Sequence, residues 1–168
     1  MSKEEQPGNV VLLTETAGKK DTRRASEKKW GKPVVDYGFC IIPSLLLHAQ
    51  ERLGINAVQL NIIMHLADFW WVRERMPYPS KAVLAHRMGL SERQIQRQMV
   101  ELEEAGLVGR VQRTRPGRGK TTNAYDLTGL VKRLQELEPE FTQVKQEAKA
   151  RKRDVSRPRH RRQATTPK

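Results

Sequence analysis

The sequence predicts a mainly α fold carrying one short antiparallel β hairpin. Three observations lead there. Apolar residues recur at helical spacing through most of 43–104. Residues 107–127 instead alternate apolar and polar on either side of a Pro-Gly turn. Both ends of the chain are polar and charged, with little of either period.

Residues 1–32 mix Gly, Ser, Thr, Lys and Glu and hold few apolar residues beyond Val10–Leu13. Too little surface is available there to offset the entropy of ordering, so a disordered N-terminal tail is expected. Trp30 marks the approach to the body, expected over 33–141. The body opens with VVDYGFCIIP, a run of β-branched and aromatic residues that reads as a strand. Pro43 then starts PSLLLHAQERLG, a helix closed by Gly54.

The next stretch, INAVQLNIIMHLADFWWVRER, has Asn56 as its cap and Leu60, Ile63, Met64, Ala67 and Trp71 on one face. Its apolar residues reach more than one side, which marks a central core helix. The tryptophan pair 70–71 ends an apolar helix rather than lying among basic residues, so it reads as core packing and not as a stacking platform. Pro77 and Pro79 stop the chain and deliver it to Ser80.

Residues 80–108, SKAVLAHRMGLSERQIQRQMVELEEAGLV, organise the rest. Ser80 can cap a short helix to about Met88, with Val83, Leu84 and Met88 as its apolar residues and Ala85 among them. Gly89 can take the left-handed conformation that ends a helix. Leu90 follows as a buried hinge. Ser91 caps a second helix at once, with Gln94 in capping-box position. Ile95, Met99 and Leu102 form that helix's apolar stripe, and Gly106 ends it. Two helices joined by so short a Gly-containing turn read as a helix-turn-helix.

Beyond Gly106, LVGRVQR sets Val108 and Val111 against Arg110 and Arg113 at strand period. TRPGRGKTT supplies a turn with a basic tip, and NAYDL returns as a second strand with Tyr125 and Leu127 inward. Thr128 then caps a further helix bearing Leu130, Val131, Leu134 and Leu137 on one face. Pro139 either kinks this helix or begins another. Residues 142–168 are expected to be a helical extension followed, from Lys149, by a basic disordered tail.

The order Ser-x-x-x-Leu-Ala-x-x-Met-Gly-Leu-Ser-x-Arg-Gln-Ile-x-Arg, ending in Leu-Glu-Glu-Ala-Gly-Leu-Val, resembles bacterial winged helix-turn-helix DNA-binding proteins. Leu84, Ala85, Gly89, Leu90, Ser91, Ile95, Arg97, Leu102, Gly106 and Leu107 carry the resemblance. It is strong over about thirty residues and weaker across 37–130. Gln98 departs from the pattern, which prefers an apolar residue there; Met99 and Leu102 fill that role instead. The resemblance implies a winged helix-turn-helix, with the hairpin after the second helix as its wing. It further implies that the recognition helix 91–105 enters the major groove of double-stranded DNA, placing Ser91, Arg93, Gln94, Gln96 and Arg97 toward the groove.

Charge supports that reading from the residues alone. The formal net charge is +13. The body 33–141 has 14 basic and 12 acidic residues, whereas 142–168 has 10 and 2, so the excess gathers in the C-terminal segment. Uneven charge of this kind suits a polyanion. The second helix is divided too, with Arg93 and Arg97 early and Glu101, Glu103 and Glu104 late. Acidic residues near a helix C-terminus oppose the macrodipole, so the order is not one chosen for helix stability. Arginine can fork onto guanine and glutamine onto adenine. Ser91 is expected to contact phosphate or only to cap. In the wing, 113–122, Arg113, Arg115, Arg118 and Lys120 suit the phosphate backbone or a minor groove.

Other classes lack support. Cys40 is the only cysteine and lies in the apolar run Phe39–Ile42, where a buried, inert thiol is expected. His48, His65, His86 and His160 show no metal-ligand spacing, and no nucleophile motif or nucleotide fingerprint is visible. No enzyme, cofactor, metal or small-molecule ligand is therefore expected, nor any membrane span or signal peptide. The expected protein is cytoplasmic and nucleoid-associated, a transcriptional regulator. Its rivals are an initiator or accessory factor for plasmid or phage replication, and a protein- or RNA-interaction module. A homodimer is expected, with Leu130, Leu134, Leu137, Phe141 and Val144 either forming its seam or packing on their own domain.

Overall fold

The computed structural model describes the backbone of residues 19–115 and 119–156, and the side chains of 24–114 and 121–153. The chain divides into two compact units, Met1–Phe39 and Cys40–Lys168.

In the first unit, α1 spans Lys19–Trp30 and α2 spans Lys32–Tyr37. Helix α1 departs from the disorder expected over 1–32 for residues 19–30; residues 1–18 lie outside the described residues. The Lys, Arg, Glu and Ala residues of α1 are good helix formers, and no Gly or Pro falls within Lys19–Trp30. Poverty in apolar residues argues against a core, not against a local helix. The expected strand over 34–43 is not formed either. Pro33 lies in the first turn of α2, where its missing N–H leaves nothing unpaired, and Gly38 at φ 140 ends the helix.

The second unit begins at Cys40, which is exposed rather than buried; its thiol Sγ lies 3.9 Å from the Met64 carbonyl oxygen. Without a strand, nothing carries residue 40 into the core. Helix α3 spans Ser44–His48, shorter than the expected 43–54. Turns continue the winding from Ala49 to Gly54, which takes φ 67.

Helix α4, Ala57–Asp68, is capped as expected: Asn56 and Gln59 form a reciprocal capping box. It ends well before residue 75, because Phe69 and Trp70 turn their N–H groups back onto Leu66 and Ala67. Trp70 packs half-buried against the core, but Trp71 is 69% exposed and not on the core face. The fully buried face is Gln59, Ile62, Ile63 and Leu66, rotated from the expected one.

Helices α5, Lys81–Met88, and α6, Glu92–Glu104, follow with the expected caps. Leu84, Ile95, Met99 and Leu102 meet Ile62 and Leu66 in the core, all at most 1% exposed. Leu90 is half-buried and Val83 exposed. Behind α6, β1 (Gly109–Val111) pairs antiparallel with β4 (Ala124–Asp126). Farther out, β2 (Thr114–Arg115) pairs with β3 (Gly119–Lys120). Val111 faces Ala124 but Thr114 faces Lys120, so pairing slips by one residue between the ladders, as at a bulge. Tyr125 and Leu127 are buried as expected, while Val111 is exposed. The Tyr125 N–H donates to the Pro77 carbonyl at 2.8 Å, laying the approach to α5 along β4.

Helix α7 spans Thr128–Ser156 and runs unbroken through Pro139. The Asp126 carboxylate accepts the Thr128 N–H at 2.8 Å, with the Thr128 hydroxyl on the same oxygen. That pairing holds the Asp126 carboxyl below its ordinary pKa. Gly129 is required by packing, since a Cβ there would lie 2.0 Å from the Gly106 carbonyl oxygen. Leu130 and Leu137 are buried and Leu134 and Phe141 half-buried against this unit's own core. Of the two roles open to this stripe, packing on its own domain is the one observed, and only Val144 of the five is exposed. The helix also corrects the disorder expected from Lys149, by eight residues; 157–168 lie outside the described residues.

Candidate nucleic-acid interface

The geometry of α5 and α6 follows from three small residues and one glutamine. The Ser80 hydroxyl oxygen accepts the Val83 N–H at 3.1 Å. Gly89 turns at φ 64, a left-handed conformation that costs a residue with a Cβ. The Ser91 oxygen accepts the Gln94 N–H, while Gln94 Oε1 accepts both the Ser91 N–H and its hydroxyl at 2.9 Å. The turn is therefore rigidly capped on both sides, and α6 leaves it in one direction.

Helix α6 is divided in space as well as in sequence. Its early half presents Ser91, Arg93, Gln94 and Arg97 to solvent, with the Arg97 side chain 72% exposed. Its late half is tied to the protein. Gln98, buried, accepts from Asn56 Nδ2 at 2.8 Å and donates to the Glu101 carboxylate at 3.2 Å. Gln59 Nε2 donates to Glu101 at 2.8 Å, and Arg110 pairs with Glu103 at 2.6 Å.

The five predicted α6 residues are brought together, but not as equals. Arg93 and Arg97 offer exposed guanidinium groups. Ser91 is a cap. Gln94 Oε1 is engaged in the capping box, and Gln96 Oε1 accepts from Lys81 Nζ at 2.9 Å. A bidentate contact to adenine uses both ends of the amide. Both glutamines would have to release a partner first.

At the root of the wing, the Arg113 guanidinium lies 4.2 Å over the ring of Tyr78. Such stacking fixes a long side chain that would otherwise be free. Arg115 ends β2 and Lys120 ends β3, so the hairpin places both near its tip. Arg118 lies outside the described residues.

Sequence reading missed Tyr78, Lys81, Gln59 and the role of Gln98. The signal for Gln98 was its polarity at a position that packs inward. A groove of about 350 Å³ runs between Asn56, Val58, Leu90, Gln94, Arg97 and Gln98. On the other side of α4, Arg87 pairs with Asp68 at 3.0 Å and stacks over Phe69. His65 nearby has its pKa lowered, first by burial and then by the Arg87 charge. Among the described residues no group of three His, Cys, Asp or Glu is placed to hold a metal, and no helix is long and apolar enough to cross a membrane.

A helix-turn-helix domain model matches residues 53–108, from the end of the 49–54 turns through α6 to the edge of β1. Among solved structures, the N-terminal domain of DnaD protein from Geobacillus kaustophilus HTA426 aligns at 21% identity. It covers 80% of this chain and 99% of that one, at a TM-score of 0.47. A transcriptional regulator (MarR family) from Rhodococcus sp. RHA1 aligns at 22% identity over 72% of this chain and 73% of its own, at 0.37. No curated protein matches the sequence. Residues 53–108 match the helix-turn-helix domain family, and the antiparallel hairpin behind α6 gives this part of the chain a winged helix-turn-helix fold.

Proposed function

We propose that the chain binds double-stranded DNA sequence-specifically and acts as a bacterial transcriptional regulator. In this reading α6 lies in the major groove and the wing, 113–122, lies on the backbone or in the minor groove. The carrying observation is the division of α6: its late half is anchored through Gln98 to Asn56, Glu101 to Gln59 and Glu103 to Arg110, and its early, basic half is exposed. A helix that enters a groove by its N-terminal residues needs that arrangement. Arg93 and Arg97 would fork onto guanine, each good pair contributing about 1–3 kcal/mol of discrimination. Arg113, Arg115 and Lys120 would fix register without reading bases.

One α6 spans only a few base pairs, so two copies on a pseudo-palindrome belong to the proposal. Their seam lies elsewhere than the α7 stripe, which packs on its own core. The role assigned is binding, not catalysis, in the cytoplasm at the nucleoid.

Electrophoretic assays with duplex DNA, single-stranded DNA and RNA, followed by selection from random duplexes, test this. Preference for duplex and one enriched motif are expected. Preference for RNA would overturn it. Enriched sites in tandem beside a replication origin would give the same interface to a replication initiator.

A further inference from the structure

Helix α7 outlasts the core it packs on. Its last half-buried side chains are Phe141 and Thr142, and every described side chain from 143 to 153 is exposed. The stretch 143–156 extends about 21 Å at 1.5 Å per residue. Along it Lys145, Lys149, Lys152 and Arg153 recur at i, i+4, i+7 and i+8, which lines them up on one face. Glu147 stands on the opposite side and accepts from Gln143 Nε2 at 3.1 Å.

Helix stability does not explain the stripe. The macrodipole favours cations only near the last turn, which covers Arg153 but not Lys145 or Lys149. Like charges four apart, Lys145 with Lys149 and Lys149 with Arg153, work against the helix. The packed half of α7 carries charges of both signs, with Arg133 beside Glu136 and Arg52 on Glu140. A row of cations on a helix end that buries nothing gains most from a polyanion laid along it.

We propose that this stripe is a second DNA contact, gripping the phosphate backbone of duplex outside the base pairs under α6. The proposal rests on the function proposed above. Its length matches about six phosphates along one strand at 3.4 Å each. Phosphate contact carries no base code, so the stripe adds affinity and leaves the preferred sequence alone.

The test uses the full chain and a K145Q/K149Q/K152Q/R153Q variant, with circular dichroism showing that the helix persists. Each is titrated with salt on two duplexes: the enriched site alone, and the same site with about ten flanking base pairs per side. The wild type should gain affinity from the flanks and the variant should lose that gain. The log–log salt slope should flatten on the flanked duplex by about 0.9 for each phosphate no longer neutralised, up to about 3.6. A K145R/K149R/K152R variant should keep the gain. Equal flank gain in wild type and glutamine variant would overturn the proposal, as would equal loss on both duplexes or a loss seen only on RNA. A wild type without preference for any duplex site would overturn the proposed function itself, a result separate from these.

Discussion

Asn56 Nδ2 donates to Gln98 Oε1 at 2.8 Å, joining residues forty-two positions apart. Asn56 uses its side-chain oxygen to cap α4, so one residue starts the first helix of the domain and fixes the rotation of the third. Through Gln98 the link reaches Glu101 and, from there, Gln59 of the same capping box. The face that α6 turns outward is set by this closed polar ring as well as by Ile95, Met99 and Leu102.

Gln98→Ala should therefore destabilise the fold by about 0.5–1.5 kcal/mol, the net contribution of a hydrogen bond, because the partners left behind, Asn56 and Glu101, reach solvent. With Asn56→Ala the two losses should not add, the coupling being about 0.5–3 kcal/mol. Urea unfolding of the single and double variants measures both quantities. Strict additivity would mean that the bond holds nothing.

Gly129→Ala should cost about 1–3 kcal/mol, as overpacking does, because the added Cβ would meet the Gly106 carbonyl. The start of α7 or the end of α6 must then shift. A variant with unchanged thermal stability would show that the two segments are not tightly packed there.

Stability should fall on mild acidification because of His65. Burial, reinforced by Arg87, holds its folded-state pKa below the ordinary 6.5, against the opposing pull of Asp68. The unfolded chain therefore takes up the proton first as pH drops. The contribution is complete above the unfolded value and is lost as pH falls from there through the folded value. Urea midpoints measured from about pH 7.5 to about 5.5 should decline, and His65→Gln should flatten the decline. Identical slopes would assign it to other groups.

Much of this was readable in the sequence because it depends on local chemistry. As caps, Ser80, Gly89, Ser91, Gln94 and Asn56 act within four residues of themselves, and each does what its type implies. Two failures share a cause. VVDYGF reads as strand by composition, yet Pro33 and Gly38 at its ends make a one-turn helix, and Cys40 then stays outside the core. Trp71 fits a helical stripe, but α4 stops at Asp68 and the stripe never reaches it. In the site, Arg93 and Arg97 were readable as exposed groups. That Gln94 and Gln96 spend their oxygens on Ser91 and Lys81 depends on which side chains meet in space, and period alone does not carry that.

In the wing, Arg115→Ala should weaken binding to all duplexes about equally. The log–log salt slope should flatten by about 0.9 if Arg115 neutralises one phosphate. Competition between the enriched site and a scrambled one measures this. A change in site preference would make Arg115 a reader and not an anchor.

The central claim is that bases are read by the exposed early half of α6. Selection from random duplex DNA, run in parallel on wild type and Arg97→Ala, tests it most directly. The wild type should yield one motif. The variant should yield the same motif relaxed at one position per half-site, with about 1–3 kcal/mol of discrimination removed there and non-specific binding nearly unchanged. An unaltered motif, or a uniform loss across all positions, would contradict the placement of α6 in the groove.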